Sequence, residues 1–206
     1  MFAGTNAGIP ARSLLERARN IILGPGTEWL VAAAEQTSPA ALFSGYVVPL
    51  ALIGPVCMVL GQLFFGHHPL PIVLPLALVS FALELAAVFV AASIANALAP
   101  SFGGQKNLPQ ALKLIAYSST PRWLGGVLTI VPLLGPLAVA AGLYGLYLLY
   151  LGVPSMTRVA PDRAAVFTLV TVLALVLVWA LVGFMVGFAI ATLIAGATLA
   201  SRAILH

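Results

Sequence analysis

Glu84 is the carboxylate that falls inside a long apolar run of this sequence, and Arg122 is a permanent cation inside another. A carboxylate in hydrocarbon protonates or finds a cation; a guanidinium stays charged and needs an anion, water or carbonyls. Counted outward from the loop near Gly103, the two residues lie equally far along their runs. An antiparallel hairpin would hold them at similar depth, which predicts an ion pair. Just ahead of Arg122, the stretch AYSSTPRWLGG sets Tyr117, Ser118, Ser119 and Thr120 before Pro121. Proline removes a backbone donor and pushes the residue before it out of the helical region. The helix begun at Asn107-Leu108-Pro109 should therefore end near Ser119, with Thr120 capping a second half. Two chemistries fit the hydroxyls. They repair carbonyls freed by the break, or the half-helix ends are aimed at an ion or solute, as in discontinuous transporter helices. Gln110, Lys113, Tyr117 and Thr120 share one face of the first half, and Ser80, Glu84, Ala87 and Ala91 share a small, polar face of the preceding run. The candidate intramembrane polar site is Glu84, Arg122, Lys113, Tyr117, Ser118, Ser119, Thr120 and Pro121.

Other chemistries find no residues. The histidines are His67, His68 and His206, so no nucleophile–histidine–acid set is expected and no catalytic residue is named. No phosphate-cradling GxxxxGK[ST] loop occurs. Cys57 is the single cysteine, and the His67-His68 pair lies apart from it with no carboxylate. A solvated or headgroup-level loop explains that pair better than a metal site. No metal and no cofactor are expected. The pI near 9.6 is not a nucleic-acid footprint, because the basic residues are scattered and flank apolar runs.

These residues must be positioned by membrane helices. The chain of 206 residues is 62% hydrophobic and 7% charged, with a mean hydropathy of +1.11. Soluble domains carry roughly a quarter of charged residues, and apolar runs of about 20 residues cross a bilayer as helices. The expected fold is all-α: a polytopic membrane bundle of five spans, near 40–65, 71–99, 108–131, 134–153 and 164–198. The third is proline-broken, and the fifth is longer than a crossing needs. Three segments follow: 1–39, cytoplasmic or interfacial; 40–198, the spans; and 199–206, a short tail.

Within the first segment, PARSLLERARNIIL draws an apolar face through Leu14, Leu15, Ala18, Ile21 and Ile22, with Arg12, Glu16 and Arg19 largely off it. It is too short and charged to span and should lie in the interface. Gly24-Pro25-Gly26 breaks it, Thr27 is placed to cap a second short helix, and Trp29 is expected at headgroup level. Ser38-Pro39 should start the first span. Arg12, Arg17, Arg19, Lys106, Lys113, Arg158 and Arg163 gather on one side of the five-span topology, with Arg202 on the other. That bias places the N-terminus in the cytoplasm and the C-terminus outside.

Two packing motifs remain. Gly183 and Gly187, continued by Ala191 and Ala195, form a small-residue ridge for close helix approach, within the chain or between copies. Tyr144, Tyr147 and Tyr150, interleaved with Gly142, Gly145 and Gly152, read as helix packing with interfacial anchoring rather than a ligand cage.

The order of these features resembles the Yip family, five-span membrane proteins first known as Ypt/Rab interactors, and its bacterial branch in particular. The resemblance rests on ILGPGTEW, YVVPLALIGPV, and AYSSTPRWLGG through YGLYLLYLG. Ala116, Tyr117, Thr120, Pro121, Gly142, Tyr144 and Gly145 match as pattern positions, with no chemistry attached. The resemblance implies a helical integral membrane protein with a cytoplasmic N-terminus. Eukaryotic members are associated with small GTPases through a long N-terminal domain, of which little precedes the first span here. Arginine outnumbers lysine and alanine is abundant, which fits a GC-rich bacterial genome. The function expected is non-enzymatic: an inner-membrane protein that organises or shapes the bilayer or scaffolds membrane partners. Its partners would be the lipid bilayer, a further copy of itself and an unidentified membrane protein, with no nucleic acid. The alternative is a transporter or channel for a small ion or solute, using the broken third span and Glu84.

Overall fold

The computed structural model describes residues 13–66, 69–177, 180, 181 and 184, and the regular structure among them is helical. Met1–Thr168 form one compact unit and Leu169–His206 a second, in which residues 169–177 are helical.

Helix α1, Leu14–Leu23, starts where the Ser13 hydroxyl accepts from the Glu16 N–H at 3.3 Å. Gly24 alone separates it from α2, Pro25–Ala34. Proline at the first helical position lets α2 begin there, ahead of the start that a cap at Thr27 would give. Thr27 is thus no cap: it lies within the first turn and donates back to the Gly24 carbonyl at 3.2 Å. The expected faces shift too. Arg17, Ala18 and Ile21 are buried, whereas Leu15 and Leu23 are exposed.

Helix α3 runs Pro39–Phe65. The Ser38 hydroxyl caps it through the Ala41 N–H at 3.2 Å. A π-helical turn, Phe43–Val47, lies just ahead of Pro49, whose ring would press on the Gly45 carbonyl in an unbroken α-helix. Helix α4, Leu70–Leu98, continues as a 3₁₀ turn to Phe102, and Gly103 ends it at φ 79°. A side chain at the next residue, Gly104, would stand 2.6 Å from the Thr157 carbonyl, so the loop passes hard against the end of α7.

Helix α5, Leu108–Ser118, is capped by Asn107, whose Oδ1 accepts from the Gln110 N–H at 3.2 Å. Ser119 separates it from α6, Thr120–Gly125, which loosens into 3₁₀ turns across Gly126–Ile130. Helix α7 spans Gly135–Thr157 and stops at Arg158 in the left-handed region, φ 59°. A further helix covers residues 161–177.

Among the described residues, three helices are long and apolar enough to cross a membrane: Pro39–Phe65, Leu70–Phe102 and Gly135–Thr157. They coincide with the first, second and fourth expected spans. The third expected span, 108–131, holds two short helices that part at Ser119, where the proline break was expected, followed by a 3₁₀ segment from Gly126. Much of the fifth expected span lies outside the described residues, as do His67, His68, Gly183, Gly187, Ala191 and Arg202.

Within the first unit, α5 packs between α4 and α7, and α6 also rests on α7. Two glycines of α7 permit this. A Cβ at Gly145 would sit 2.6 Å from the Ser118 carbonyl, and one at Gly152 would sit 2.6 Å from Leu114 Cδ1 and 2.7 Å from Trp29 Cε2. The α5–α6 break is therefore sealed by the bare backbone of a neighbouring helix.

Candidate functional site

The polar residues of α4, α5 and α6 divide into two sites rather than one. The first ties α1 and α2 to α5. Arg17 is buried and its guanidinium bridges two carboxylates, Glu28 Oε1 at 2.5 Å and Glu35 Oε2. Its Cζ lies 5.3 Å from the centroid of the Tyr117 ring, a cation–π distance. Burial works against the Arg17 charge, but the hydrogen bond with Glu35 and the fields of Tyr117, Glu35 and Glu28 outweigh it and move its pKa upward. Lys113 donates to the Ala32 carbonyl at 2.8 Å and to the Glu35 carbonyl at 2.7 Å. Gln110 Nε2 donates to the Ala33 carbonyl at 2.9 Å. The last carbonyls of a helix lack intrahelical partners and carry its negative dipole end. Lys113 and Gln110 therefore act as a C-cap for α2 supplied from another helix.

Aromatic rings fill the space around this cluster. Tyr117 meets Tyr46 edge-on at 4.9 Å and Trp29 at 6.3 Å. Trp29 is fully buried, because Gly152 leaves a slot for its indole on α7. Tyr144 donates to the Ile22 carbonyl at 2.7 Å, tying the end of α1 to α7. Tyr147 stacks beside it at 5.9 Å and is exposed.

At the break, the hydroxyls divide their work. Ser118 and Ser119 both donate to the Ile115 carbonyl, at 3.1 and 2.8 Å. Thr120 does not cap the second half: its hydroxyl shares a 2.7 Å hydrogen bond with the Tyr46 hydroxyl, fixing α6 to α3. The backbone hardly opens, since Ser119 keeps right-handed helical angles and its carbonyl accepts from the Trp123 N–H at 3.1 Å. Pro121 is buried within this joint.

The second site lies on the other side of α6. Arg122 Nη1 donates to Glu84 Oε2 at 2.9 Å, and Nη2 donates to Oε1. Trp123 Nε1 donates to the same Oε1 at 2.7 Å. The equal-depth count thus brings Glu84 and Arg122 together, whereas Lys113, Tyr117 and Thr120 belong to the first site. A cleft of about 390 Å³ opens beside the pair, with Gly54 and Ser80 among its walls. Among the described residues, no group of three His, Cys, Asp or Glu side chains is placed to hold a metal.

Sequence reasoning missed the Arg17–Glu28–Glu35 cluster and the indole bond of Trp123. A signal was present: Arg17 falls on the same helical face as Leu14, Ala18 and Ile21, and Glu28 and Glu35 are two turns apart.

The Yip1 domain model matches residues 19–184. This chain belongs to the Yip1 domain family. The matched span takes in both polar sites except Arg17, and with the three apolar helices it makes the protein a multi-pass membrane protein of the Yip type. No curated protein and no solved structure matches the chain.

Proposed function

We propose that this Yip1 domain protein is a non-enzymatic organiser of the bilayer, acting through the α1–α2 hairpin as a rigid wedge. The observation that carries this reading is the way the hairpin is held. Its inner face is pinned by Arg17, Lys113 and Tyr144, while Leu15, Leu23 and Leu30 project outward at 78, 72 and 64% exposure. Apolar side chains inserted at the headgroup boundary expand one leaflet, and a wedge transmits that strain only when it cannot swing away. The setting we propose is a bacterial inner membrane crossed five times, with the hairpin on the cytoplasmic face and the C-terminus outside. Scaffolding of another copy or of a membrane partner would use the same fixed geometry.

The test is reconstitution into liposomes of defined size. The wild type should tubulate or shrink them, and the combined Leu15→Ser, Leu23→Ser and Leu30→Ser variant should not. Wild-type protein that leaves curvature unchanged, stays monomeric in lipid and retains no partner sinks the reading. The cleft beside Glu84 and Arg122 favours a second one, passage of a small ion or solute. Proteoliposomes with no proton, cation or small-anion flux above empty vesicles would remove it.

A further inference from the structure

Helices α4 and α7 end side by side. The Gln105 N–H donates to the Thr157 carbonyl at 2.9 Å, and a Cβ on Gly104 would stand 2.6 Å from that same oxygen. Both helices are long and apolar enough to cross a membrane, so a bilayer crossed by both meets their common end at its headgroups. Three cations from two loops far apart in sequence come together there. Arg158 Nη1 donates to Gln105 Oε1 at 3.1 Å, and Lys106 follows Gln105 in the chain. Arg163 Nη1 lies 3.7 Å from where a Cβ on Gly103 would stand. All three side chains are exposed. Among the described residues, the bond from Arg158 to Gln105 is the one side-chain hydrogen bond they make, and the neighbouring Asp162 pairs with none of them.

A charge bias between the faces of a membrane does not account for this joint. Any exposed lysine or arginine near the end of a span serves that bias. Arg158, however, stands in the left-handed region at φ 59°, where a side chain is strained and glycine sits freely. Its part in ending α7 is a backbone bond, N–H to the Pro154 carbonyl at 3.2 Å, which needs no guanidinium. Strain kept at one residue points to a use for its side chain. The free edge of the guanidinium is a planar fork that matches the paired oxygens of a phosphate. Val166, one turn on from Arg163 along the same helix face, is 54% exposed, so apolar surface resumes beside the cations. A phosphate that carries acyl chains meets both surfaces, whereas a soluble anion meets one.

We propose that Lys106, Arg158 and Arg163 together bind the phosphate of an anionic glycerophospholipid from the adjoining leaflet. The site uses no residue of α1 or α2, so a hairpin that bends no liposome leaves it standing. Arg158 supplies the means to test it, because glycine there removes the cation and the strain at once.

The experiment is native mass spectrometry of the full chain in detergent, titrated with phosphatidylglycerol, with phosphatidylcholine of the same acyl chains, and with inorganic phosphate. The wild type should prefer phosphatidylglycerol to phosphatidylcholine by roughly tenfold or more, with no displacement by inorganic phosphate. Arg158→Gly should melt no lower than the wild type and yet retain the lipid about fivefold less, the share of one cation at a membrane surface. Arg19→Gln, which removes an exposed cation from α1, should leave retention unchanged. If Arg158→Gly fails to fold, Lys106→Gln with Arg163→Gln should show the larger loss of two cations. Undiminished retention in these variants overturns the proposal. So does an equal loss in Arg19→Gln, which would mean diffuse attraction to a basic protein. Equal binding of phosphatidylcholine would mean acyl contacts alone, and displacement by inorganic phosphate a soluble-anion site; either one overturns it as well.

Discussion

A guanidinium and a carboxylate that meet inside a membrane helix bundle are bound by unequal needs. Glu84 can lose its charge by taking up a proton; Arg122 cannot. Glu84→Gln should therefore destabilise the protein by stranding Arg122, by about 1–3 kcal/mol once the half-exposed guanidinium is discounted for screening. Replacing both, Glu84→Leu with Arg122→Leu, should recover much of that loss, because a buried pair often yields to apolar side chains without penalty. Recovery should stop short of complete, since the Trp123 indole N–H loses the carboxylate that accepts it. Melting temperatures of the singles and the double decide the matter, and strictly additive losses would mean that the pair contributes no coupling. The Arg17 cluster should be less forgiving. Arg17→Met leaves Glu28 and Glu35 facing each other in a dry joint and should cost about 3–5 kcal/mol, read as a fall in melting temperature.

Between elements, glycine decides how close helices come. Gly142 and Gly145 stand in one helix three residues apart, yet a Cβ at Gly142 meets nothing within 4 Å and one at Gly145 meets the Ser118 carbonyl. Gly142→Ala should be neutral or stabilising by up to about 1 kcal/mol through helix propensity. Gly145→Ala should lose about 1–3 kcal/mol by forcing α7 off the α5–α6 joint. Equal melting temperatures for the two variants would contradict this packing. The helix starts at Ser38 and Asn107 were legible in the sequence because capping is chemistry between residues three apart. So was the pairing of Glu84 with Arg122, which follows from counting along two helices. The borrowed C-cap of α2 was not, since nothing in the sequence near Ala32 indicates a lysine far along the chain. Nor was the fate of Thr120: a residue placed to cap its own helix was claimed by the Tyr46 hydroxyl instead. Local rules name a donor, and tertiary packing chooses its acceptor. Lys113→Met should therefore raise amide exchange across residues 25–35 while leaving α7 protected; unchanged exchange there would show that α2 needs no cap from α5.

At the scale of the whole chain, topology is the property to test. The five crossings we propose would place the ends on opposite faces, so Thr5→Cys should react with an impermeant thiol reagent from one side only and Ala203→Cys only from the other. Cys57 is buried and should stay silent. Labelling of both from one side would require an even number of crossings. The bonds of the hairpin also impose an order in time. Arg17 reaches its carboxylates across 11 and 18 residues, so the triad can close as soon as its own segment has been synthesised. The bonds that dock the hairpin span 77 to 122 residues, to Gln110, Lys113 and Tyr144. While the ribosome is still making α3 and α4, the finished hairpin has no seat and must wait undocked with its charges already matched. Nascent chains arrested at residue 105 should hold α1 and α2 as an undocked, protease-sensitive pair, and release past α5 should convert it to the protected form.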